Sequence, residues 1–202
     1  PIPSKQLMPR LSPMPPHRED IARALEIIHQ AQRIIVMAGL GVVESGAAAA
    51  CRQLAERCDG LLATTLPARG LFYDEPFSLG IAGGFSSEMA RRCFSEADLV
   101  LAVGCSLAHH NTDGGKLWPK ARVLQIDLKP TALHQGHIAA DAHLRADARL
   151  ALEALIEGIP PRQLTWRAPA LAEALRNTPA DSMEFEIESG QSSAFCISAI
   201  YR

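Results

Sequence analysis

The chain has 202 residues, with 20 Lys and Arg against 22 Asp and Glu, for a formal net charge of −2. That is about one domain's length, and the near-balance of charge without a basic stripe excludes a nucleic-acid binder that works by neutralising phosphates. No apolar run approaches the roughly 18–20 residues that cross a bilayer. The start of the chain has no charged segment followed by an apolar one, so no secretory leader is read there.

The apolar fraction is ordinary at 48%, but aromatics make up only 5% and alanine alone accounts for 32 positions. Small side chains on helices allow close packing against a sheet, which favours an α/β fold over an aromatic-filled β sandwich. The five cysteines, Cys51, Cys58, Cys93, Cys105 and Cys196, include no C-x-x-C pair. Reduced thiols and a cytoplasmic location are expected.

Residues 1–18 carry six prolines, at positions 1, 3, 9, 13, 15 and 16, and read as a linker that something else precedes. From Glu19 to Gln32, apolar residues at Ile21, Ala24, Leu25, Ile28 and Ala31 recur at helical spacing. Ile34 to Ala38 is a continuous apolar run, as a strand buried on both faces requires. Gly39, Gly41 and Gly46 punctuate the following turn, and Ala47 to Cys58 reads as helix, with Cys51 and Cys58 on one packed face. Leu61 to Thr64 is a second strand, and a Gly/Pro-rich passage runs from Pro67 to Gly84. Ser86 to Glu96 is read as helix, Asp98 to Val103 as the third strand and Arg122 to Asp127 as the fourth. A short fifth strand is placed at His143 to Ala146, before a helix from Asp147 to Glu157. Strands alternating with helices predict a Rossmann-like, doubly wound parallel sheet of about five or six strands over residues 19–158, with helices on both faces. Residues 159–202 lose the pattern. They read as a linker or tail with one helix near Ala168 to Arg176, and with Phe195, Ile197 and Ile200 as either an edge strand or a cut end.

The strongest local feature is the strand–glycine turn–helix unit from Ile34 to Cys58. Such a turn lies at the carboxyl end of its strand, where backbone N–H groups can meet an anion. The spacing is G-x-G-x-x-x-x-G, and the second strand ends in Thr64 and Thr65 with no acidic residue to hold a ribose. An ordinary NAD dehydrogenase is therefore not expected. Two readings stand: a nucleotide-binding turn, or glycines that only make a tight βα connection. Asp127 likewise either accepts hydrogen bonds from a ribose or caps the Lys129-Pro130 turn. His109-His110 and His134 with His137 lack partners at metal-ligand spacing, so no metal site is read. Cys105 sits in a strand-end turn without an adjacent cation to activate it. There is no G-x-S-x-G elbow, and Gly114-Gly115-Lys116 is followed by Leu117, not Ser or Thr, so no phosphate loop is present. No catalytic residue is assigned to this chain.

Seven pieces follow one another in a recognisable order: the first helix, then 34–47, 54–70, 78–85, 96–107, 121–130 and 143–155. This order resembles the central domain of the thiamine-diphosphate-dependent enzymes of the acetolactate synthase and benzoylformate decarboxylase group. The resemblance implies a parent subunit roughly three times longer. A pyrimidine-binding domain would come before this segment and a diphosphate-binding domain after it, as partners in the same chain, with homo-oligomers formed by the whole. It also implies that thiamine diphosphate and Mg²⁺ belong to those other domains. The activating glutamate is in the first. The G-D-G motif, followed about 25–30 residues later by N-N, is in the third and uses oxygen ligands for a hard cation. Neither motif occurs here, which implies an excised middle domain that is not catalytically competent alone.

In this family the central domain holds FAD, holds ADP, or serves as scaffold. The matching cofactor positions are Gly39, Leu40, Gly41, Thr64, Thr65, Leu66, Gly80, Gly83, Gly104, Cys105, Ser106, Asp127, Leu128 and Asp147. The flavin-binding pattern G-x-R-x-x-D-R is replaced by Gly104-Cys105-Ser106-Leu107-Ala108-His109-His110, so the arginine is lost. The alternative expectation is a self-standing nucleotide-binding module for ADP, FAD or CoA on the same fold.

Overall fold

The computed structural model describes residues 12–129, 139–162 and 166–178. The proline-rich start up to 11, His134 with His137, and the stretch holding Phe195, Ile197 and Ile200 lie outside them. The first helix, α1 (Arg18–Gln30), buries Ala24 and Ile28 and carries Glu19 and Asp20 in its first turn, where carboxylates complement the helix dipole. It leads into β1 (Ile34–Ala38), all five of whose residues are buried.

The glycine-punctuated turn after β1 contains a short helix, α2 (Leu40–Ser45), ended by Gly46 in the left-handed conformation at φ 66°. Then come α3 (Ala48–Arg57), β2 (Leu61–Thr64), β3 (Ser78–Ile81) and α4 (Glu88–Glu96). The chain continues through β4 (Leu99–Val103), one turn of helix α5 (His109–Thr112), β5 (Arg122–Asp127) and β6 (Ala142–Arg145). Two more helices, α6 (Ala148–Gly158) and α7 (Pro169–Asn177), follow. The six strands form one sheet in the order β3-β2-β1-β4-β5-β6, and every pairing is parallel. The doubly wound expectation is met. The strand missing from the sequence reading is β3, whose four residues bury only Leu79 fully and include Gly80 at φ 72°.

Alternation along the strands divides the core in two. Ile34, Val36, Ala38, Leu99, Leu101 and Val103 face α1, α3 and α6, through residues such as Ile28, Cys51, Leu54, Cys58, Leu152 and Leu155. Ile35, Met37, Val100 and Ala102 face the other way, against Phe94 of α4 and Trp118. The predicted common face of Cys51 and Cys58 is this first core. Asp98 pins the amino-terminal edge of the sheet. Its carboxylate accepts the N–H groups of Gln32 (2.8 Å) and Arg33 (2.9 Å), tying the entry of β1 to that of β4.

The stretch expected to be a linker lies, over 159–162 and 166–178, against this same amino-terminal edge. The Arg162 guanidinium donates to the carbonyls of Ala31 (2.6 Å) and Ile28 (2.7 Å) at the end of α1. Arg57 donates to the Ile159 carbonyl at 2.8 Å. Asp59, only 8% exposed, accepts the N–H groups of Trp166 (2.6 Å) and Arg167 (3.1 Å). The Arg167 guanidinium lies 4.5 Å from the centre of the Phe77 ring. Leu171 and Leu175 of α7 then pack on the second core. The segment thus passes from one face of the sheet to the other as a strap.

Candidate functional site

In a doubly wound sheet the crevice for a ligand opens outside the carboxyl ends of the strands, where the winding reverses. Here the reversal falls between β1 and β4, and a cavity of about 460 Å³ lies there. Gly39 and Gly104 make it possible for the two turns to meet. A Cβ on Gly39 would sit 2.1 Å from the Gly104 carbonyl oxygen, and one on Gly104 would sit 2.5 Å from the Gly41 Cα. Gly104 also has φ +56°, a conformation that glycine adopts without strain. Direct backbone bonds hold the contact: the Gly39 N–H donates to Val103 at 2.8 Å and the Gly41 N–H to Gly104 at 3.1 Å. The closeness these glycines permit is between β1 and β4 of the protein itself.

Of the positions taken from the resemblance, Leu40, Gly41, Thr65, Gly104, Cys105, Ser106, Asp127, Leu128 and Asp147 line this cavity. Gly39 lies behind them in the β1–β4 contact. The Thr64 hydroxyl donates to the Gly80 carbonyl at 3.3 Å inside the sheet, and Leu66 opens a 3-10 turn after β2. Gly83, at φ +86°, presses against the carbonyl of His110. These residues shape the walls without reaching the cavity. Glu44, Ser45, Pro67, Asn111, Ile126, Ala146 and Ala148 line it as well and were not anticipated. Glu44 and Ser45 come one turn along α2, in a segment whose glycines concealed a helix. Asn111 stands in a run, 109–112, that matches no ligand-binding pattern.

The charged groups of the cleft are the carboxylates of Glu44, Asp127 and Asp147, beside the hydroxyls of Ser45, Thr65 and Ser106 and the amide of Asn111. The Asp147 carboxylate caps α6 by accepting the N–H groups of Arg149 (3.0 Å) and Leu150 (3.2 Å). Asp127 accepts the Lys129 N–H at 3.2 Å, so it does cap the turn that follows it. No Lys, Arg or His is among the described residues lining the cavity. Below the cleft, β6 pairs His143 with Gln125 of β5. The His143 Nε2 is buried and has no hydrogen-bond partner among the described residues. Burial holds this imidazole below the ordinary histidine value, while the Asp127 charge pulls the other way.

Cys105 is 1% exposed, and burial pushes its thiol up to about 12. A thiol so seldom ionised is a poor nucleophile at neutral pH. Among the described residues no group of three or more His, Cys, Asp and Glu comes together to hold a metal, and no helix is long and apolar enough to cross a membrane.

The model for the family described as "Thiamine pyrophosphate enzyme, central domain" matches residues 21–155, nearly the whole of the sheet and its helices. The chain belongs to this family. Among its relatives is a protein of Methanocaldococcus jannaschii named "Probable acetolactate synthase large subunit", 30% identical over 162 residues, covering 79% of this chain and 27% of the relative. Another, from Pseudomonas aeruginosa, is named "Probable 2-ketoarginine decarboxylase". It is 34% identical over 166 residues, covering 80% of this chain and 28% of the relative. A solved structure from Mycobacterium smegmatis, assigned to the thiamin diphosphate-dependent enzymes, superposes with TM-score 0.60 at 25% identity. It covers 77% of this chain and 30% of its own. This central domain therefore spans little more than a quarter of the length of the curated relatives it matches.

Proposed function

We propose that this chain is the central, architectural domain of a thiamine-diphosphate-dependent lyase or transferase acting on 2-keto acids, and that it is not catalytic by itself. The observation that carries this reading is the seven-segment order folded into the β3-β2-β1-β4-β5-β6 sheet, matched within relatives whose remaining length lies outside it. When bound between the flanking domains of the whole enzyme, thiamine diphosphate supplies a carbanionic nucleophile and an electron sink for bonds next to a carbonyl. Mg²⁺ would be held there with the diphosphate.

The residues of this chain contribute rigidity. The Gly39–Gly104 contact, the Asp98 clamp and the strap fix where the chain enters and leaves the domain. Half-exposed Leu40, Val43 and Leu128 are available to those flanking domains. The relatives' names include a synthase and a decarboxylase at similar identity, in keeping with a domain that does not choose the reaction. Cytoplasmic assembly as a homo-oligomer belongs to the same reading, and the four described cysteines, all buried and unpaired, accord with it.

FAD or ADP in the strand-end cleft fits the residues poorly. The loop donors at Gly39, Gly41 and Val42 are already bonded within the protein, the α6 terminus is capped by a carboxylate, and no cation is among the described residues lining the cavity. A diphosphate there would face the carboxylates of Glu44, Asp127 and Asp147. This favours the scaffold reading over a free-standing ADP, FAD or CoA module.

A domain exchange tests the proposal. Residues 21–155 replace the matching segment of an acetolactate synthase large subunit. The expected product is a folded, assembled enzyme that retains thiamine diphosphate. A chimera that folds by circular dichroism but neither assembles nor holds the cofactor overturns it.

A further inference from the structure

The two ends of the sheet differ in what they leave uncovered. At the amino-terminal end the chain closes on itself, through the Asp98 clamp and the strap anchored by Asp59 and Arg162. Six large apolar side chains are exposed among the described residues, and five of them belong to the opposite end. Leu40 and Val43 follow β1, Phe85 follows β3 and Leu128 follows β5. The carbonyl of the fifth, Met14, accepts the Asp147 N–H after β6 at 2.8 Å. Single exposed apolar residues are ordinary on a surface, whereas their gathering on one rim marks an interaction face.

Leu40, Val43 and Glu44 fall at positions i, i+3 and i+4 of α2 and so share one face of it. Leu40 and Glu44 border the same cavity as Leu128, so this face and the corner at Leu128–Lys129 stand on one crevice. Each of the two patches is aliphatic and carries one exposed charge, Glu44 on α2 and Lys129 on the corner. The charges are opposite, and neither enters an ion pair among the described residues. A two-fold axis makes such patches self-complementary, because each copy then offers one patch to the other's second. We propose that two copies of this chain pair through the carboxyl-end rim. The α2 face of each seats on the Leu128–Lys129 corner of the other, with Glu44 beside Lys129 of the partner subunit. Burial of the leucines and Val43 supplies the attraction. The charge pairs set the register, since exposed ion pairs add little energy of their own. The flanking domains of the proposed parent would compete for these residues, and the pairing does not rest on the function proposed above.

The test is sedimentation velocity on the whole chain over about 1–200 µM, a range that reversible dimers span, in a reducing buffer so that no cysteine links two copies. A concentration-dependent shift from monomer to dimer is expected, ending at the dimer. Val43→Asp is expected to raise the dimer dissociation constant roughly tenfold or more, and Leu128→Asp carries the same expectation if Val43→Asp fails to fold. Tyr73→Asp, at the sixth exposed apolar residue in the turn that leads to the amino end of β3, should leave the constant unchanged. Glu44→Lys and Lys129→Glu are each expected to weaken the dimer by roughly threefold to tenfold. The chain carrying both should recover to within about twofold of the parent. A chain monomeric throughout, assembly beyond the dimer, a dimer indifferent to Val43→Asp or weakened as much by Tyr73→Asp, or a double swap no tighter than the single ones would each overturn the pairing. The first of these results would leave the rim to the flanking domains and the proposed function intact.

Discussion

At the residue scale, the cleft depends on three glycines used for contact between strands. Gly104 has both a positive φ and the Gly41 backbone where a side chain would go. Gly104→Ala is expected to cost roughly 2–4 kcal/mol, from left-handed strain plus overpacking, seen as a melting temperature lower by about 5–15 °C. Gly84→Ala, with nothing near its Cβ, serves as the control and should melt within about 2 °C of the parent.

His143 makes a pH prediction of definite sign. Its folded value is depressed by burial, so the unfolded chain binds the proton more readily. Its contribution to stability is intact at neutral pH and is lost as pH falls below the unfolded value of about 6.5. A pH series of thermal melts should show this acid loss, and His143→Gln should flatten it. An unchanged profile in the variant would show that other groups cause the loss. The described cysteines make a third prediction. Burial raises Cys51 and Cys105 to about 12 and Cys58 and Cys93 to about 11. Iodoacetamide at pH 8, followed by peptide mass spectrometry, should therefore leave all four unmodified in the native protein and label them after denaturation.

At the element scale, β1, β2 and β4 were legible because a strand buried on both faces is a nearly continuous apolar run. IIVMA and LVLAV can hardly be read otherwise. β3 gave no such signal. It is an edge strand, with a glycine at positive φ and a register shift against β2 between Leu62 and Thr64. α2 was hidden because Gly39, Gly41 and Gly46 look like turn residues, although only Gly46 ends the helix. The strap was the least legible element. Its anchors pair Arg162 with Ile28 and Ala31, and Asp59 with Trp166 and Arg167, across more than a hundred residues, and no local pattern encodes such pairs. Asp59→Ala removes two charge-assisted bonds in a nearly buried setting and is expected to cost about 2–3 kcal/mol. It should also raise amide exchange selectively in 166–178, whereas Asp59→Asn should retain most of both. Uniform exchange across the domain in the Ala variant would mean that Asp59 does not hold the strap.

At the scale of the whole molecule, most of the positions that the resemblance supplied gather at the carboxyl ends of the strands, nine of them on one cavity, since strand ends and their turns follow from the strand order. The sequence did not disclose the chemistry of that cleft. Whether Gly41 offers its N–H to a ligand or to Gly104, and whether Asp147 is free or caps α6, depends on contacts made only after folding. These contacts use up loop donors that a phosphate would need and leave three carboxylates, Glu44, Asp127 and Asp147, on the crevice, in keeping with the proposal that this domain provides structure for an active site made elsewhere.

That claim is tested most directly by titrating the 202-residue chain with thiamine diphosphate and Mg²⁺ in a calorimeter, then adding pyruvate and following its consumption. The account predicts no cofactor heat and no loss of pyruvate above the blank. Saturable thiamine diphosphate binding with turnover by this chain alone would contradict it.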